Sequence, residues 1–381
     1  MSRARAAVGT LLVLLGACGG DDRPADACAI EGGGGGGPGR LLDGPMCTYL
    51  SSYGFFTDLP AQQVDPAMIP YDLVTPLFSD YTAKRRYVWL PDGEAMAWSD
   101  ELAFALPVGA MIIKTFSYPV DAREPSLGAR LLETRVMVHR ASGWEGASYV
   151  YDEDGREAEL AAGARTIDVS WIDGAGATRS NTYVTPSRNQ CINCHAAEQV
   201  DVMGPIGPKA RHLNRDVAAL DDGADPTWTG NQLEAMIGHG VLTGAPADPA
   251  SWPKATALDD ERPEAIEARA RSWLDINCAH CHNPAGAART SGLDLRAAND
   301  DPFTYGVCKP PIAAGGGSGG LDWDIVPGAP DESILVYRIE GTEADVKMPE
   351  LGRNLVHAEG VAAVRAWVTS LEGECGVAAA P

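Results

Sequence analysis

Cys191-Ile192-Asn193-Cys194-His195 and Cys278-Ala279-His280-Cys281-His282 are the two stretches around which the chain is organised. Each reads C-x-x-C-H. Two thiols at this spacing can form thioethers with the two vinyl groups of one haem, and the imidazole that follows reaches the iron as proximal ligand. The spacing predicts two covalently attached haem c groups. Cys191, Cys194, Cys278 and Cys281 are the attachment points, and His195 and His282 the iron ligands. Two other chemistries use the same residue types. Zinc ribbons pair C-x-x-C motifs, but 83 residues lie between Cys194 and Cys278, far more than a ribbon uses. A thioredoxin-like dithiol accounts for one motif and leaves the His after both unexplained.

The 381 residues, 45% of them hydrophobic, suffice for two or three domains. Residues 1–17 read as a signal peptide: Arg3 and Arg5, then an apolar run from Ala6 to Ala17. Leu15-Gly16-Ala17-Cys18 resembles a bacterial lipobox, which implies cleavage before Cys18 and lipid on its thiol; an ordinary signal peptide cut nearby is the alternative. The run is too short to span a bilayer and no other candidate span follows, so the expected membrane attachment is a lipid anchor only. The expected location is the bacterial periplasm, with the outer membrane favoured because no Asp follows Cys18. A formal net charge of −22 argues against nucleic acid and favours basic redox partner proteins, with association weakened by salt. Solubility alone would also account for it.

Nine cysteines divide into Cys18, the four of the motifs, and Cys28, Cys47, Cys308 and Cys375. Export permits disulfides. Cys28–Cys47 and Cys308–Cys375 are the expected pairs, because each falls within one segment. Residues 18–46 form a Gly-rich tether (Gly32 to Gly37). Residues 47–186 carry short β-type runs with turn signals, at 86–90, 111–118, 131–139 (which alternates), 148–151, 166–172 and 182–184, which predict a β-sandwich-like domain. Within it, Glu133 and Arg135 share a strand face and can meet Lys114, read as a structural ion network. Residues 187–260 form the first haem module, with a helix from Thr229 capped by Thr229 and Gln232. Residues 261–381 form the second, with helices over 263–277 and 356–371.

The order in that last segment (leader helix, C-x-x-C-H, Met348 before Pro349, terminal helix) resembles class I cytochrome c. The resemblance implies that His282 and Met348 are the two axial ligands of the second haem. More widely, Pro70-Tyr71-Asp72-Leu73, Thr75-Pro76-Leu77-Phe78-Ser79-Asp80-Tyr81, Glu133-Thr134-Arg135, Asp324-Ile325-Val326-Pro327-Gly328 and Met348-Pro349-Glu350-Leu351-Gly352-Arg353 resemble a family of secreted bacterial dihaem c-type cytochromes with an N-terminal β-domain. That implies two haems and electron transfer, with no settled substrate. The expected fold class is α+β multidomain: an N-terminal β-sandwich-like domain followed by two mainly α-helical cytochrome c-like haem modules.

The sixth ligand of the first iron separates the functions, because a strong ligand makes a carrier and an open position admits small oxidants. Met203, His212, Met236 and His239 are the candidates. Met236 is preferred, with an open position as its rival. The expected function is electron transfer. A peroxidase-like oxidoreductase acting at an open first haem, and a β-domain binding module coupled to a redox partner, are the alternatives. No catalytic residue is identified. His280 is expected to be exposed, His139 and His357 structural, and Asp221, Asp222 and Asp225 a solvated loop.

Overall fold

Alternation along the N-terminal half sets the centre of the fold. The computed structural model describes residues 25–28, 44–217 and 228–376. In it six strands form an antiparallel meander: β1 (Ile69–Pro70), β2 (Ala83–Trp89), β3 (Met111–Pro119), β4 (Ala129–Arg140), β5 (Gly143–Tyr151) and β6 (Ala158–Leu160). The expected signal peptide, Cys18, the six-glycine run and Asp221, Asp222 and Asp225 lie outside the described residues. One face of the sheet presents Tyr87, Ile113, Val136, Ala147 and Tyr149 to a core closed by Leu50, Tyr53 and Phe55. Side chains such as Ile113, Val136 and Leu50 each contribute about 1.5–3 kcal/mol on full burial.

The other face is divided. At one end Val88, Ile112 and Met137 pack with Leu213, Leu233, Met236 and Trp252. At the other, Phe116 and Leu132 pack with Trp171 and Tyr183, which belong to a separate hairpin, β7 (Arg165–Ile172) and β8 (Thr178–Thr185). Between these apolar ends lie Lys84, Arg86, Lys114, Glu133 and Arg135, whose register positions face one another across β2, β3 and β4. A register shift at Phe116/Ser117 turns Leu132 towards the hairpin, because a bulge leaves one residue unpaired and reverses the facing beyond it.

The expected fold class is corrected by this architecture. The β-part is one six-stranded sheet with two two-stranded pairs, the β7–β8 hairpin and Phe56–Asp58 with Gln63–Val64, not a sandwich. The segments carrying the motifs are not two mainly α-helical modules. The described residues hold six α-helices, all short: α1 (Cys191–His195), α2 (Ala210–Leu213), α3 (Gln232–Gly238), α4 (Ile266–Asn277), α5 (Ile334–Glu340) and α6 (Ala358–Ser370). Pro205, Pro208, Pro246, Pro249 and Pro253 each lack an amide donor and interrupt helix between α1 and α4. That stretch instead adds strands. Leu242–Thr243 pairs in parallel with Met96–Ala97, and Asp216–Val217 pairs with Gly230–Asn231. The first motif's segment is thus built onto the sheet and shares its core. The strand at Gly230–Asn231 also moves the cap of α3: Asn231, not Thr229, accepts from the amides of Leu233 and Glu234. Between the second motif and α5, Gly and Pro leave only 3-10 turns.

Around the second motif, Ala270, Trp273 and Leu274 of α4 meet Val361, Val364, Trp367 and Val368 of α6. Cys28–Cys47 and Cys308–Cys375 are bonded, and the buried Lys309–Asp324 ion pair at 2.9 Å lies beside the second bridge.

Candidate metal centre at the paired motifs

None of the four cysteines of the C-x-x-C-H motifs is in a disulfide. The first motif is α1, entered from β8 through a 3-10 turn at Arg188–Gln190. Ser187 donates its amide and hydroxyl to Gln190 Oε1 at 2.9 and 3.1 Å, and Arg188 ion-pairs with Glu145 of β5. His195 Nδ1 lies 2.9 Å from the carbonyl oxygen of Gly204. A carbonyl can only accept, so Nδ1 carries the proton and Nε2 presents its lone pair. His282 reaches the same state differently. Its Nδ1 is 3.0 Å from Ser291 Oγ, and that hydroxyl spends its own proton on Ala288 O at 2.8 Å. Burial pushes both imidazoles down to about 4, so both are neutral at pH 7, as metal ligands must be.

The second motif opens on a cavity of about 490 Å³ lined by Cys278, Cys281, His282 and Met348, with Leu295 and Ile325 among its apolar walls. That size and lining suit a large, mostly apolar prosthetic group. Burial pushes the Cys278 thiol up to about 12. The loop carrying Met348 is held from two sides. Arg353, 4% exposed, donates to the carbonyls of Met348 (2.9 Å), Leu355 (3.2 Å), Arg338 (3.2 Å), Ile339 (3.2 Å) and Gly341 (2.9 Å). Asp80, at the start of the sheet domain, accepts the amides of Asn354 and Leu355 through Oδ1, each at 2.7 Å. The neighbouring residues continue this strap. Phe78 stacks on His357 and donates its amide to Asn277 Oδ1 at 2.8 Å, and Tyr81 donates to Glu359 at 2.9 Å.

The two motifs touch. Cys281 Sγ donates to Asn193 O at 3.3 Å, and Asn283 Nδ2 donates to Ala197 O at 3.0 Å. Ligand atoms of Cys194, His280 and Cys281 lie within 4.8 Å of one another. The close approach of the two thiols lowers the pKa of Cys194 and raises that of Cys281. His280 is buried with its Nδ1 unpartnered, against the expected exposure, because the first motif covers it.

The remaining candidates are dispersed. Met236 is enclosed among Met96, Phe104, Leu213 and Leu233, the setting of a core side chain. Met203 is the thioether beside the first motif. Its Sδ and Cys191 Sγ lie 3.5 and 3.8 Å from the point a Cβ on Gly146 would occupy, so both sulfurs pack against the sheet at that position. His212 is buried and bonded through Nε2 to Asp275 at 2.7 Å, not a surface residue. His239 is exposed and stacked on Trp228. His139 bonds the carbonyl of Leu106 at 2.9 Å and stacks on Trp144. Sequence reasoning missed Gly204, Ser291, Asp80 and Arg353 as supports. Asp80 and Arg353 fall in the quoted motifs, which was the available signal; Gly204 and Ser291 carried none. No family model, curated protein or solved structure matches the chain, so the site is read from its own geometry.

Proposed function

We propose that this chain is a dihaem c-type cytochrome that carries single electrons between protein partners. The observation that carries the reading is that Cys278, Cys281, His282 and Met348 line one largely apolar cavity, a donor set that fits a covalently held haem. A haem at each motif would supply one-electron Fe(III)/Fe(II) chemistry. The chain's own residues do the rest. The cysteines provide the covalent tether. Gly204 and Ser291 fix the tautomer that aims Nε2 of His195 and His282. Arg353 and Asp80 hold the Met348 loop. Contact between Asn193 and Cys281 makes the two attachment points neighbours. The acidic charge favours basic partners, and a lipid at Cys18 would keep the protein at the periplasmic face of a bacterial membrane.

A second reading has its own observation. Cys194, His280 and Cys281 form a soft N/S donor cluster of the kind zinc uses. It leaves Cys191, Cys278 and both Nε2-presenting imidazoles without a role, and is therefore secondary. Low-temperature electron paramagnetic resonance of the oxidised protein tests the carrier reading. Two low-spin ferric signals are expected. A high-spin signal from the first motif would instead direct work to peroxide turnover, and absence of any ferric signal would remove the proposal.

A further inference from the structure

The charged middle of the sheet faces the first motif and is short of negative charge. Arg86 stands opposite Lys114, and Lys114 opposite Arg135. The cationic groups of Lys84, Lys114 and Arg135 lie 5.9, 4.9 and 4.4 Å from the centre of one ring, that of Phe116. Glu133 is the carboxylate on this face. It bonds Arg135 at 2.6 Å through Oε1, the oxygen that also accepts from Tyr183 at 2.6 Å. Asp72 meets Arg86 from the edge at 3.2 Å. Burial, and then the neighbouring cations, hold both lysines well below their usual range. Like charges gathered this closely repel unless an anion sits among them or a lysine gives up its proton.

Two further donors on the face are idle. Arg86 Nη2 and Ser148 Oγ are buried without a partner, as is the acceptor Glu133 Oε2, and Arg86 and Ser148 are each 4% exposed. Ser148 stands opposite Arg135, two positions along β5 from Gly146, where Cys191 packs. Lys114 acts electrostatically on His195, and Arg135 on Cys194.

We propose that Arg86, Lys114, Arg135 and Ser148 form an anion receptor facing the first C-x-x-C-H motif, built for a carboxylate or similar oxyanion. Guanidinium and ammonium groups beside a hydroxyl are the donors such a group takes. Two sources share this chemistry: the propionates of a haem attached at Cys191 and Cys194, which rests on the function proposed above, and a free small oxyanion, which does not.

The test uses the intact, haem-loaded protein with Lys114→Met and Arg135→Gln, and Lys114→Arg as the charge-retaining control. Spectroelectrochemistry reads each haem's potential, and calorimetry reads binding of inorganic phosphate and of nitrite. If propionates occupy the receptor, removing one cation disfavours the reduced state at the first motif. The expected change is on the order of tenfold in its reduction equilibrium, about 59 mV. The second haem and the Lys114→Arg control stay in place, and neither anion binds. If a free oxyanion occupies it, the wild-type protein binds phosphate or nitrite saturably and Lys114→Met weakens binding tenfold or more. Two unchanged potentials together with no anion binding overturn the receptor. Absence of haem mass on Cys191 and Cys194 would instead count against the dihaem reading, and the anion titration would still judge the receptor.

Discussion

Replacing Arg353 by Ala should loosen the Met348 loop more than any single hydrogen bond suggests. The guanidinium reaches five carbonyls from three segments: the Met348 loop, the end of α5 and Leu355. Hydrogen bonds to a charged group contribute roughly 1.5–3 kcal/mol each, but one side chain cannot return that sum, and its own burial costs some of it. Counting the two shortest bonds, at 2.9 Å, at the low end gives a loss of about 3 kcal/mol. At roughly 2 °C per kcal/mol for a chain larger than 150 residues, the unfolding midpoint drops by about 6 °C. Arg353→Lys should recover little, because one ammonium cannot reproduce the planar fork. Hydrogen exchange at the amides of Asn354 and Leu355, which Asp80 accepts, should accelerate in the same variant. A loss under 1 kcal/mol, or full rescue by Lys, would refute the clamp.

Other expectations follow from the same contacts. His212→Ala removes the hydrogen bond at 2.7 Å to the buried Asp275 carboxylate, which keeps the Ala297 amide, so chemical denaturation should show a loss of about 1.5–3 kcal/mol. His357 is held down to about 4 by burial against roughly 6.5 in the unfolded chain. A folded value below the unfolded one gives stability that is full above pH 6.5 and lost as pH falls towards 4. Denaturation at pH 7 and pH 5 should therefore differ by up to about 1.4 kcal/mol per pH unit from this group, and His357→Phe should remove that share. The Cys308–Cys375 bridge spans 67 residues, so Cys308→Ala with Cys375→Ala should lower stability by about 4 kcal/mol on the chain-entropy account. Met348→Ala should keep the second haem attached while lowering its potential and admitting exogenous ligands; an unchanged potential would remove Met348 as a ligand.

Much of the local structure was legible in the sequence, for reasons that particular residues make plain. Alternation marked the strand at Ala129–Arg140, β-type runs ended by turn residues marked those at Met111–Pro119 and Arg165–Ile172, and apolar spacing marked α4 and α6, each of which buries one face. Both disulfides were legible from segment membership. The global arrangement was not. Nothing local in Leu242–Thr243 reveals that it pairs with Met96–Ala97, about 145 residues earlier. The expectation of helical modules came from extending the pattern of α4 and α6 to stretches broken by Pro and Gly. The contact between the motifs was equally hidden, since it depends on how Asn193 and Cys281 are brought together in space.

The most direct test of the central claim is peptide-mapped mass spectrometry of the protein produced with a haem-attachment system. The account predicts two covalent haem additions that survive denaturation, one on the peptide with Cys191 and Cys194 and one on the peptide with Cys278 and Cys281. Unmodified cysteines on both peptides, with a labile metal ion released on denaturation, would contradict it.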